Sequence, residues 1–249
     1  MKFKRLNRGG YLLSLSLNAL LFLMVVAIER KSHSIEQGLV NRGYVSGEET
    51  LRSDYWTRVG WTNTLKKMNV TCDVCFFGNS ITAGSDFRNA FPELSIVNLG
   101  LPGDDLLGML YRIPMLKAVN PKMVFIMAGA NDLSFISETL FVERYGELLE
   151  AIRDNLPEVR IVIQSVLPMN HSMKRDAPAR EIIESANVAI ESLARSNGCE
   201  FIDLYRLYAV NGEMPIELTK DGIHLKPQAY DRWAVALKLF FDDFENNSK

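Results

Sequence analysis

The segment CFFGNSITAG, Cys75 to Gly84, sets a serine, Ser80, where an apolar run gives way to small and polar residues. A serine hydroxyl is a weak nucleophile until a base takes its proton, so the first question is which base the chain supplies. It has three histidines, His33, His171 and His224. His224 lies in TKDGIHLKPQAY, with Asp221 three residues before it and Gly222 between them. In a tight turn that spacing brings the carboxylate to the Nδ1 side of the imidazole, fixing the tautomer and leaving Nε2 to accept a serine proton. Each piece alone has an ordinary explanation: strand-end serines form turns or cap helices, and Asp-x-x-His makes a turn with a cap. Together they outline a nucleophile, a base and the carboxylate that orients the base.

The elements that must position these residues alternate along the chain. Apolar, strand-like runs cover residues 74–78, 95–100, 123–129, 160–167 and 200–204. Patterns of helical period cover 106–119, 138–155, 178–197 and 227–244. Pro178 and Pro227 suit first-turn positions, and Gly198 suits a helix stop. The strands are continuous apolar runs, as expected of strands buried on both faces, so five strand-helix units predict a parallel sheet covered on both sides. Ligands of such sheets bind beyond the carboxyl ends of the strands. Ser80, Asn98-Leu99-Gly100, Gly129-Ala130-Asn131-Asp132 and Leu167-Pro168-Met169-Asn170 all fall there. The loop 168–177 is expected to line the pocket, with Lys174 and Arg175 either meeting an acidic sugar or facing solvent. Asp132 is read as a brace for its loop, and Thr82 and Asn98 as local hydrogen bonders.

FFGNSITAG, VNLGLPGD, MAGAND and DGIHLKPQAY, in that order from the first strand to the last helix, resemble the blocks of the SGNH hydrolases, also called GDSL-like esterases. The resemblance covers residues 71–244. It implies a three-layer α/β/α, flavodoxin-like fold on a five-stranded parallel sheet. Ser80 matches the family nucleophile, Asp221 and His224 the rest of the triad, and Gly100 and Asn131 the oxyanion-hole donors beside the Ser80 amide. The implied reaction is hydrolysis of an ester through an acyl-serine, with no metal or organic cofactor. One position departs from the family pattern: Asn79 stands where the family frequently has Asp. That aspartate is not the triad acid, so the chemistry is expected to survive the change.

The remaining sequence bounds the setting. The chain has 249 residues, a formal net charge of -2 and ordinary globular composition, with no basic surplus for a nucleic-acid backbone. Lys2, Lys4, Arg5 and Arg8 precede an apolar stretch at 11–28 that is long enough to span a bilayer. Basic residues ahead of such a span favour a cytoplasmic N-terminus and an exported remainder. The segment is read as a membrane anchor, with a signal peptide cleaved after Val25-Val26-Ala27 as the alternative. The organisation expected is an anchor with its basic flank at 1–31, a stalk and a packing helix at 32–70, and a catalytic domain at 71–249. Leu51, Tyr55, Trp56, Val59 and Leu65 have the helical spacing of that packing helix. Cys72, Cys75 and Cys199 are an odd set, read as buried, inert thiols.

Two classes of function stay open on the sequence. One is an exported, membrane-tethered serine esterase removing acetyl or other short acyl groups from carbohydrate, with a lysophospholipase-type lipid esterase as its variant. The other is a non-catalytic, anchored glycan-binding module. The oligomeric state is not encoded in any feature of the sequence.

Overall fold

The computed structural model describes residues 53–247, which include a five-stranded parallel sheet of order β2-β1-β3-β4-β5. β1 is Cys72–Gly78, β2 Ile96–Asn98, β3 Pro121–Met127, β4 Arg160–Gln164 and β5 Glu200–Ile202. Along the central strands successive side chains go to opposite layers. Cys75, Phe77, Val124, Ile126, Ile161 and Ile163 enter one core. Val74, Phe76, Met123, Phe125 and Val162 enter the other. This is why the strands read as unbroken apolar runs: neither face meets water.

The first core is closed by α3 (Leu106–Tyr111), α4 (Ile113–Val119), α5 (Glu138–Asn155) and α6 (Arg180–Ser196). In α6, Ile183, Ala186, Ile190 and Ala194 form the buried stripe. The second core is closed by α7 (Leu204–Tyr208) and α8 (Tyr230–Asn247), which a 3₁₀ turn at Pro227–Ala229 precedes. The fold is therefore the three-layer arrangement expected. α1 (Ser53–Lys67) packs against α4, and its Leu65 reaches the first core.

Three expectations need correction. Residues 106–119 are two helices, not one. The break is at Arg112, which leaves helical geometry (φ -96°, ψ 7°), just before a Pro in the first turn of α4. Arg112 is 1% exposed and paired with Asp104, itself buried. Removing one partner of such a pair leaves an uncompensated buried charge, a loss of about 3–5 kcal/mol. Second, β2 to β5 stop two or three residues earlier than the apolar runs do, because the run ends have left the ladder to form the loops above the sheet. Third, Cys199 is partly exposed, with its Sγ 3.4 Å from Arg153 Nη2; Cys72 and Cys75 are buried, and burial pushes the Cys72 thiol up to about 12. The segment 11–28 and His33 lie outside the described residues. Among those residues no helix is long and apolar enough to cross a membrane.

Candidate active site

The strand order reverses between β1 and β3: the chain leaves β1 for β2 on one side, then returns to β3 on the other. The loops after β1 and β3 therefore part above the sheet and open a crevice. At the end of β1, Asn79 turns the chain into α2 (Ser80–Ala83), and its Oδ1 accepts from the Ile81 N–H at 3.0 Å. That cap sets Ser80 as the first residue of a helical turn with its hydroxyl facing the crevice. Only an acceptor oxygen is needed for it, which Asp and Asn both have, so the amide leaves the turn intact. The Asn79 Nδ2 is buried without a partner.

His224 reaches the same point from the far end of the domain. Gly222 (φ +95°) lets the chain reverse between Asp221 and His224. The turn is pinned by the Gly222 N–H on Thr219 Oγ1 at 2.9 Å. Asp221 Oδ1 accepts from the Ile223 and His224 N–H groups at 3.0 and 2.8 Å, and Oδ2 lies 2.6 Å from His224 Nδ1. Partial burial pushes this carboxyl up, but the hydrogen bonds from His224 and Ile223 outweigh it and bring the pKa to about 2. With Nδ1–H committed to Asp221, Nε2 is the acceptor, and Ser80 Oγ is 2.9 Å from it. The structure thus joins Asp221, His224 and Ser80 in one hydrogen-bonded line. The Asp221 and His224 side chains are 53% and 40% exposed, so the line lies open to solvent.

Three candidate donors lie at or just after the ends of β1, β2 and β3. The Ser80 N–H, at a helix start, has no partner among the described residues. Asn131, after β3, donates one Nδ2 proton to Asp104 O at 2.6 Å, which leaves the other for a ligand. Gly100, after β2, packs against α2 so closely that a Cβ there would sit 2.2 Å from Ala83 N. Its N–H already donates to Asn98 Oδ1 at 2.8 Å. Asn98 in turn donates to Thr82 O and Ser85 O at 2.8 and 2.9 Å. An oxyanion would have to share the Gly100 proton with Asn98. Asp132 holds the start of α3, accepting from the Leu106 N–H at 3.1 and 3.3 Å. Burial, then the neighbouring Asp105, push its carboxyl up to about 7.

Matching to known proteins settles the affiliation. Residues 76–232 match the model of the GDSL-like Lipase/Acylhydrolase family. The chain belongs to this family. By family it is an ester hydrolase. Among solved structures, the GDSL-like lipase of Bacteroides thetaiotaomicron shares 24% identity with this acylhydrolase and has a TM-score of 0.65, covering 76% of this chain and 98% of that one. An acetyl xylan esterase is 21% identical with a TM-score of 0.55, over 68% of this chain and 98% of that one. Among curated proteins, an N-acylneuraminate cytidylyltransferase of Streptococcus agalactiae is 24% identical over 148 residues, 59% of this chain. The match spans about a third, 34%, of that relative's length.

The loop 168–177 packs on the histidine turn: the Asn170 N–H donates to Gly222 O at 2.8 Å. Lys174, on this loop, is paired with Asp176 at 2.7 Å. His171 does not face the serine. Its Nδ1 is 2.8 Å from Glu213 Oε1 and its Nε2 is 2.9 Å from Pro178 O. Both neighbours are acceptors, so only the doubly protonated ring satisfies both. The Pro178 carbonyl raises the pKa, burial opposes it, and Glu213 adds to the rise. A raised folded pKa stabilises fully below the unfolded value of 6.5, and this contribution is lost as pH rises through the folded value. The melting-temperature deficit of His171→Gln is therefore expected to be largest in acid and to shrink towards alkaline pH. A deficit independent of pH would show that the charged ring is not the link.

Asn131 carries a further prediction. If its second Nδ2 proton meets the oxyanion, Asn131→Ala lowers kcat by about 10²–10³ with KM little changed. Melting curves taken beside the kinetics check it, because a residue that only shapes its turn would lose rate in step with stability.

Proposed function

We propose that this chain is a serine esterase that removes acetyl or another short acyl group from a carbohydrate, tethered to a membrane through residues 11–28 with its catalytic domain exported. The observation that carries the chemistry is the 2.9 Å contact between Ser80 Oγ and His224 Nε2, with Asp221 behind the ring. In this reading Ser80 Oγ attacks the ester carbonyl carbon as its proton passes to Nε2. Negative charge then gathers on the carbonyl oxygen, met by the Ser80 N–H and Asn131 Nδ2, with Gly100 N–H sharing. Collapse of the intermediate expels the alcohol, which takes the proton from His224. Water, deprotonated by the same nitrogen, hydrolyses the acyl-serine and restores the site.

The substrate class rests on two supports. The exposed triad suits a small acyl group carried on a bulky alcohol better than a long chain needing an apolar tunnel. Two of the relatives above are named for carbohydrates, an N-acylneuraminate and an acetylated xylan. With Lys174 engaged by Asp176, Arg175 is the exposed cation on the loop 168–177 to meet an acidic sugar.

Release rates across acyl esters of increasing length, then across acetylated sugars, test the reading. Rates falling with acyl length support it. Rates rising with length would move the assignment to lipid esters, and a folded protein inert on every ester would move it to glycan binding. The tether predicts a full-length protein that resists carbonate extraction from membranes. Recovery of a soluble species beginning near Ile28 would establish a cleaved signal instead.

A further inference from the structure

We propose that Arg112, buried behind the crevice and remote in sequence from every triad member, is the positioning residue that aims the oxyanion donors. The proposal rests on the reading of Ser80 as nucleophile. Arg112 sits in the break between α3 and α4, with its guanidinium 4.7 Å above the Phe77 ring. Its Nε donates to Asp104 Oδ2 at 2.9 Å, and its Nη2 binds the same oxygen. Its Nη1 donates to Leu99 O at 2.9 Å, and Nη2 also reaches Gly78 O at 3.4 Å.

Each of these acceptors leads to one donor of the candidate site. Leu99 O belongs to the same planar peptide as the Gly100 N–H, so holding the carbonyl from behind fixes where the N–H points in front. Gly78 O lies one peptide before the Asn79–Ser80 turn, and it also accepts the Leu101 N–H at 2.9 Å, which ties the ends of β1 and β2 together. Asp104, gripped through its carboxylate, presents the backbone carbonyl that receives Asn131 Nδ2. One planar fork thus sets three donors that come from the ends of three strands. Lysine, with a point charge on a flexible stem, has no equivalent geometry.

Preorganisation of this kind acts on the transition state, where the oxygen is charged, and little on substrate binding. Arg112→Lys keeps the positive charge beside Asp104 and loses the fork. It is expected to lower kcat about 10- to 100-fold, with KM within about threefold of wild type. The decisive measurement is a double-mutant cycle with Asn131→Ala, run on the full-length protein well below each variant's melting temperature. If Arg112 works through the donors, its effect shrinks once Asn131 is gone. Independent, multiplying effects, or an unchanged kcat in folded Arg112→Lys, would overturn the proposal.

Should Arg112→Lys fail to fold, wild-type protein decides. The NMR resonances of the Arg112 Nε–H and the Gly100 N–H are expected to shift together when an organophosphonate, whose phosphoryl oxygen stands in for the oxyanion, adds to Ser80. A shift at Gly100 without one at Arg112 would sink the idea. Failure of the underlying reading looks different: the phosphonate then labels another residue, or Ser80→Ala stays active.

Discussion

Ser80→Ala is expected to lower ester turnover by about 10⁴-fold or more while the protein still folds. The change removes one oxygen from a partly buried position whose hydrogen bond is to His224 Nε2. The capping of α2 is done by Asn79 and is untouched, so melting temperature should stay near that of the wild type. Organophosphonate should add once, at Ser80, and mass spectrometry of the labelled peptide would locate it. Full activity in the variant, or label on another peptide, would remove Ser80 from the mechanism.

His224→Ala should cost as much, because without Nε2 nothing takes the serine proton, and losses within one triad do not multiply. Asp221→Asn is expected to lower kcat by about 10⁴-fold, since an amide facing Nδ1 favours the tautomer that places the proton on Nε2. His171→Ala should leave turnover close to wild type, both of its ring nitrogens being occupied away from the serine. Measuring kcat for the three variants side by side tests the assignment of the base. A normal His224→Ala and a crippled His171→Ala would move it to the loop after β4. Asp221, held near 2, remains a carboxylate over the working pH range, so loss of activity on mild acidification would report another group.

Much of this architecture is legible in the chain because its causes are local or repetitive. Phe76 and Phe77 are both apolar because they enter different cores, and a short run such as VCFF, bounded by Gly78, fits a strand covered on both faces. Asp221 and His224 are three residues apart, so a turn is enough to join them. Arg112 is opaque for the opposite reason. An arginine between Tyr111 and Ile113 reads as one solvated position of a long helix, whereas its partners lie 8, 13 and 34 residues away and meet it only in the folded chain. Asn98, read from the chain as a local hydrogen bonder, does bond Gly100 two residues on, but its role in orienting that amide is not legible there. The chain shows both residues two apart, but only the bonds from Asn98 to Thr82 and Ser85 reveal why its oxygen is turned towards that amide. Short α2 and α7, at four and five residues, fall below the length at which periodicity can be seen.

His224 and Ser80 stand 144 residues apart, and the phenol of Tyr230, at the start of α8, spans 149 residues to reach Ile81 O at 2.8 Å. Nothing less than the whole sheet and its final helix brings them together. Turnover is therefore expected to report on the completed domain, and loosening the last helix, as by removing the Tyr230 phenol, to cost rate at a residue far in sequence from the serine.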